Sequence, residues 1–211
     1  MAAEARSGAL FLNLAATLAR VASAFALAMV LGTVLGVIMG RNKTIDRLCD
    51  PLLIVLLHMP ALVIIVVAYI WLGLNEAAAI VAVTLNKLPN TAVTLREGAR
   101  ALDKSLEEMA HVFSVPLAKR IRHVVLPQLA PYFAAAMRSG LSLVWKIVLV
   151  AELLGRSNGI GFEIGIAFQL FDVTRLFAYA LPFVALMLAI ETFFVQPFER
   201  HVSRWRQQHG T

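Results

Sequence analysis

Long apolar stretches alternate with short polar ones along this chain. A helix needs about 20 mostly apolar residues to cross the hydrocarbon core of a bilayer. Val21–Gly40 meets that length, interrupted only by Ser23 and Thr33. Pro51–Gly73 meets it with one polar interruption, His58. Glu76–Leu95 is the weakest of the series: Ala77–Leu85 is apolar, but Asn86, Lys87, Pro89 and Asn90 follow. Gln128–Leu154 is long enough and contains Arg138, Lys146 and Glu152, and Leu176–Pro197 closes the series. The pattern predicts an all-α integral membrane protein with about five transmembrane helices, forming one transmembrane domain over residues 1–211. The apolar run that opens the chain is longer than the ~7–15-residue core of a cleavable signal peptide, so it predicts a helix that stays in the membrane.

Between the third and fourth stretches lies a polar island. Asp103 or Ser105 can cap a helix there, and Ser105 with Glu108 fits the S-x-x-E capping box. Leu106, Met109, Ala110 and Phe113 recur at i, i+3, i+4 and i+7 and make one apolar stripe. Lys104, Glu107, Glu108, His111 and Ser114 take the other face. Pro116 stops the helix near Ser114, because a residue before proline is pushed out of the α region. Leu117–Leu126 then carries Lys119, Arg120, Arg122 and His123, and Pro127 opens the next span. An amphipathic helix of this kind has three fates: the lipid surface, the protein's own spans, or a groove on a partner.

Charge fixes the orientation. Hydrophobic residues make up 60% of the chain and charged residues 15%, against roughly 25% charged in soluble domains. Arg41, Lys43, Arg47, Arg96, Arg100, Lys104, Lys119, Arg120, Arg122, Arg200, Arg204 and Arg206 fall on one side of the predicted spans, and only Arg6, Arg156 and Arg175 on the other. The positive-inside rule places the polar island and the C-terminus in the cytoplasm and the N-terminus outside. Basic loops thus account for the net charge of +6, and no nucleic-acid partner is expected. The single cysteine, Cys49, closes no disulfide, and the five histidines are scattered, so no metal site is expected. The chain has no G-x-x-x-x-G-K-[ST] phosphate cradle, no G-x-S-x-G elbow and no H-E-x-x-H helix. No catalytic residue and no cofactor are expected.

Glu108, Ala110, Ser114, Val124 and Leu126-Pro127 stand in an order and spacing that resemble the "EAA" loop of ABC-importer permeases. That loop runs Glu-Ala-Ala, three residues, Gly, nine residues, Ile, one residue, Leu-Pro. Met109 replaces the first Ala and Ser114 replaces the Gly. Glycine permits a tight bend that serine resists, so the loop is expected to work with altered geometry, helped by Pro116. The stretches LPQLAPY, AELLG and SNGIG are similar to the branch that imports nitrate, sulfonates and taurine. The resemblance implies a multi-pass permease subunit of the bacterial inner membrane that imports a small anion or related solute. Residues 103–127 would be its cytoplasmic coupling loop, with Glu107, Glu108, Met109, Ala110, Phe113, Ser114, Leu126 and Pro127 meeting a separate ABC ATPase subunit. The other implied partners are an extracytoplasmic solute-binding protein, a second permease copy and membrane lipid. Such permeases usually have six spans and begin inside, so the resemblance implies that the first span is missing. An ion-coupled secondary carrier and a non-transporting membrane assembly protein remain open. A carrier would want carboxylates at mid-membrane, whereas Glu152 and Glu191 lie towards span ends.

Several residues inside the spans are candidates for function. Gly32, Gly36 and Gly40 form a small-xxx-small repeat, which suits packing on a neighbouring span or on a second copy. Lys146, with Trp145 beside it, suits a cationic lining for an anion, a structural pair or snorkelling to the surface. Asn86 and Asn90, with Lys87 and Pro89, mark either a broken helix bordering a path or a cytoplasmic helix end. His58-Met59-Pro60 marks a kink. Gly159–Phe171 is expected as an outer helix that touches a delivery protein or closes the pore.

Overall fold

The computed structural model describes residues 8–197. Arg6, Arg200, Arg204 and Arg206, and the side chains of Lys104, Glu107 and His111, lie outside the described residues. Among the described residues eight helices follow one another: α1 (Ala9–Arg41), α2 (Lys43–His58), α3 (Ala61–Leu72), α4 (Glu76–Arg100), α5 (Lys104–Val112), α6 (Leu117–Gly155), α7 (Ile160–Gln169) and α8 (Val173–Val195). No strand occurs among the described residues.

Helices α1, α6 and α8 are each long and apolar enough to cross a bilayer. α1 begins twelve residues before the predicted Val21, so Arg20 sits inside a 33-residue helix. Pro51–Gly73 is not one straight span. Pro60 has no N–H and pushes Met59 into extended backbone, and α2 and α3 meet there at 103°. Helix α2 still ends tidily: the Met59 N–H donates to the Val55 carbonyl at 3.0 Å, and the His58 ring meets the Ile54 carbonyl at 2.8 Å.

The weakest predicted stretch is the centre of the fold. α4 runs unbroken for 25 residues, through Pro89, and packs against α1, α3 and α6. Two of its buried polar side chains are satisfied by backbone carbonyls of those neighbours. Thr84 donates to the Ala24 carbonyl at 3.4 Å, and the fully buried Lys87 donates to the Ala136 carbonyl at 3.1 Å. Lys87 lies over Gly140 of α6, where an added Cβ would occupy its Cε. Helix α4 is therefore continuous through Asn86–Asn90, which lie in its middle rather than at its end. At 1.5 Å per residue it reaches about 37 Å, enough to cross a ~30 Å core. By length and apolarity, three described helices qualify as spans, or four if the bent α2–α3 pair counts as one, and α4 is not apolar enough to be among them.

Gly32, Gly36 and Gly40 face α4. An added Cβ would lie 2.6 Å from Thr91 Cβ at Gly32 and 2.6 Å from Ala99 Cβ at Gly40. At Gly36 it would collide with the Ala92 carbonyl oxygen, a backbone atom that cannot swing aside. The small residues thus bring two helix backbones of this chain into direct contact. Gly36→Ala is expected to cost about 1–3 kcal/mol by overpacking. The check is thermal unfolding of the detergent-purified chain against Gly165→Ala, whose added Cβ meets Leu153 Cγ at an ordinary 3.4 Å and should leave the midpoint unchanged.

Candidate functional site

The short helix α5 is held at both ends. Asp103 is its cap: the carboxylate accepts the Ser105 N–H at 2.8 Å and the Ser105 hydroxyl at 2.7 Å. Those two donors hold the Asp103 carboxyl below its usual range. The Asp103 N–H in turn donates to Gln128 Oε1 at 2.8 Å, tying the loop to α6. At the other end the Val115 N–H donates to the Ala110 carbonyl at 2.9 Å, and Ser114 takes a φ of 52°. This is a Schellman ending with serine at the left-handed position that glycine favours. Serine takes that left-handed conformation at a local cost of about 1–2 kcal/mol.

The predicted apolar stripe divides. Ala110 is buried, while Leu106, Met109 and Phe113 are exposed, Phe113 to 75%. Glu108 and Ser114 are exposed too. A groove of about 520 Å³ runs between α5 and the opening turns of α6, walled by Met109, Phe113, Val115 and His123. Leu126 and Pro127 lie exposed on α6, directly after a π-helical turn over Ile121–Val125. Proline crowds the carbonyl four residues back, and the turn before it widens so that the Leu126 N–H reaches the Ile121 carbonyl.

The pathway candidates separate from one another. Trp145 is buried, edge-on to Phe183 at 5.6 Å between ring centroids. Its neighbour Lys146 is exposed, in line with Arg138, Ser139 and Ser142 on one outward face of α6. Arg138 lies 3.9 Å from Glu191, the first residue of a π-turn in α8, and the two border a depression of about 430 Å³ with Ser139 and Ser142. Each cation on such a face would cost about 2.5–3.5 kcal/mol if lipid covered it. Asn86 and Asn90, four residues apart, share one side of α4 beside Lys87. Asn86 Nδ2 is buried without a hydrogen-bond partner among the described residues, and the Asn90 carbonyl accepts the Thr94 hydroxyl at 2.9 Å.

A third group was not anticipated. At the end of the bundle opposite α5, the buried Arg20 donates to Glu76 at 2.6 and 2.8 Å, to Glu152 at 2.6 Å and to the Asn158 carbonyl at 3.0 Å. Glu152, with no exposed surface, also accepts the Thr17 hydroxyl at 3.0 Å and the Gly161 N–H at 2.8 Å. Asn13 and Thr17 accept the N–H groups of Gly159 and Ile160, which open α7. Glu163 of α7 is met by Asn13 at 3.1 Å and by Arg175 at 2.6 Å. The signal available in the sequence was an arginine and a glutamate embedded in apolar helices, which must find partners. Their spacing along the chain gives no hint that the partners are each other.

The chain matches the family described as "Binding-protein-dependent transport system inner membrane component" over residues 12–204. It is 30% identical over 203 residues to the putative aliphatic sulfonates transport permease protein SsuC of Bacillus subtilis (strain 168), covering 96% of this chain and 73% of that one. It is 28% identical over 161 residues to the bicarbonate transport system permease protein CmpB of Synechococcus elongatus, covering 76% and 58%. It is 24% identical over 201 residues to the taurine transport system permease protein TauC of Escherichia coli (strain K12), covering 95% and 72%. Among solved structures, an inward-facing form of the MetNI methionine ABC transporter superposes with a TM-score of 0.77 at 20% identity, covering 95% of this chain and 99% of that one.

Arg20→Met would leave Glu152 buried without its cation. Removing one member of a buried pair costs about 3–5 kcal/mol, so the thermal midpoint should fall sharply. The double change Arg20→Met with Glu152→Leu should recover part of the loss, and thermal unfolding of the two variants side by side checks both.

Proposed function

Because the chain belongs to the family of binding-protein-dependent transport system inner membrane components, we propose that this permease works as the membrane half of an ATP-driven importer, coupled through α5 to a separate ATPase. One observation carries the coupling: α5 presents Leu106, Met109 and Phe113 to the outside while its cap, its Schellman turn and the Gln128 tie fix its position. An exposed apolar row on a rigid helix suits a groove on a partner. Residues 103–127 act as the coupling loop, with Glu107, Glu108 and Ser114 at the contact and Leu126-Pro127 at the re-entry. Among the described residues, Arg41, Lys43, Arg47, Arg96, Arg100, Lys119, Arg120 and Arg122 share the α5 end, and the opposite end carries Arg156, Arg175 and the buried Arg20. The positive-inside rule therefore assigns α5 to the cytoplasm.

The outward face of α6 is the solute path. Arg138, Ser139, Ser142 and Lys146 would be costly against lipid, and a second copy of the chain offers a water-lined seam instead. The face is cationic and suits an anion, in keeping with relatives named for aliphatic sulfonates and bicarbonate. Trp145 contributes by packing, which sets the position of Lys146. On the far side, Phe168, Leu170 and Phe171 stand exposed at the turn between α7 and α8 and suit an extracytoplasmic solute-binding protein. The carrier alternative needs a carboxylate that exchanges protons with the path; Glu152 is enclosed by Arg20, Thr17 and Gly161 instead, and Glu191, which does border the face, is paired with Arg138 at 3.9 Å.

Phe113→Asp and Glu108→Lys are each expected to lower ATPase co-purification by about tenfold or more, the scale of a lost interface anchor, with no change in the permease's own thermal midpoint. Undiminished co-purification would refute the docking role of α5. Lys146→Gln should slow uptake of a small sulfonate into proteoliposomes while leaving ATPase association intact. Unchanged uptake would remove Lys146 from the path.

A further inference from the structure

A groove of about 550 Å³ lies between the last turns of α1 and the first turns of α6. Its walls are Val34 and Val37 on one side and Ile121, Val125 and Leu129 on the other, with Arg41 and Arg120 at its mouth. The two helices run in opposite directions, so both arginines mark the same end. From Thr33 to Arg41, helix α1 advances about 12 Å, and from Leu117 to Leu129, α6 advances about 18 Å. On the α1 side the groove thus runs about 12 Å from Arg41 into the span, and on the α6 side it passes from the coupling loop across the re-entry at Leu126-Pro127 to Leu129; it is apolar along its length and cationic at its outer end.

We propose that this groove binds an anionic phospholipid of the cytoplasmic leaflet, its acyl chain along Val34, Val37, Val125 and Leu129 and its phosphate at Arg41 and Arg120. The proposal rests on the orientation argued above but not on transport or ATPase docking. Charge selects the occupant. A guanidinium has five donors and can hold a phosphate oxygen alongside any other acceptor. Basic pockets on the cytoplasmic side of transmembrane helices are where lipid head groups bind. A second copy of the chain would bring its own basic end against these arginines, and water alone would leave the apolar walls unsatisfied. The α6 wall includes the π-turn in the second half of the coupling loop, so a bound lipid braces the start of α6 against α1.

The test uses the full chain in detergent, with native mass spectrometry and thermal unfolding during titration with phosphatidylglycerol, phosphatidylcholine or inorganic phosphate. Wild type should retain one more phosphatidylglycerol than the Arg41→Ala, Arg120→Ala double variant and should gain thermal stability from it. Phosphatidylcholine should not substitute. Val34→Phe, at an exposed groove position, should lose the lipid with both arginines in place, and Arg47→Ala, outside the groove, should keep it. If the alanine pair does not fold, Val34→Phe and the Arg41→Lys, Arg120→Lys pair carry the test, the lysine pair retaining the lipid more weakly. Equal retention by wild type and Val34→Phe, equal retention of phosphatidylcholine, or complete displacement by millimolar phosphate would overturn the proposal. So would loss of a lipid-free dimer in Val34→Phe, which would assign the groove to a second copy.

Discussion

A carboxylate with no exposed surface has to meet a cation, and Glu152 meets Arg20. Neither charge can be left alone in an apolar bundle, so α1 and α6 are committed to each other at one register. The same guanidinium reaches Glu76 at the start of α4 and Asn158 in the link to α7. Through Asn13, Thr17 and Glu163 the network then fixes α7 and reaches Arg175 of α8. One end of the molecule is thereby assembled around polar contacts rather than around apolar burial. The opposite end is clipped differently. Arg96 and Arg100 of α4 hold Asp46 and Asp50 of α2 near the surface, where such pairs contribute about 0–1 kcal/mol each. One end is locked and the other is only lightly tied.

Between the ends, the α1–α4 seam keeps the bundle tight. Close approach at Gly32, Gly36 and Gly40 lets two backbones touch, and α4 is covered by α1, α3 and α6. That coverage permits a lysine, a proline and several threonines in the middle of the fold. A helix that meets little lipid needs no apolar exterior, only neighbours that accept its hydrogen bonds.

What was legible in the sequence follows from this. α1, α6 and α8 were visible because each carries an apolar surface long enough to be counted. The loop was visible because its stripe and the Leu126-Pro127 spacing are local. α4 looked weakest because hydropathy measures fitness for lipid, and α4 is fitted to protein. The break at Pro60 was visible as a kink, but its 103° size depends on how α2 and α3 pack. The Arg20–Glu152 pair spans 132 residues of sequence, which no local pattern encodes. At Ser114 a serine resists positive φ, and the Ala110–Val115 hydrogen bond and the fixed ends of α5 outweigh that local cost.

On the proposed function, α6 is the working part. It is 39 residues long, about 58 Å, and it touches every feature that matters. Its first turns belong to the coupling loop, its middle carries Arg138, Ser142 and Lys146, and its last turns carry Glu152. Its far end is anchored by Arg20 and Thr17, so a pull on α5 cannot slide α6 along its axis without breaking a buried ion pair. The motion left to it is a swing about that anchor. A swing moves the middle of the helix sideways, which opens or closes a seam lined by its outward face. The soft point near the driven end is the π-turn at Ile121–Val125, where the i to i−4 ladder is already interrupted. A permease built this way takes its force at the lightly tied end and spends it at the polar face, because the other end is held by charges that cannot part.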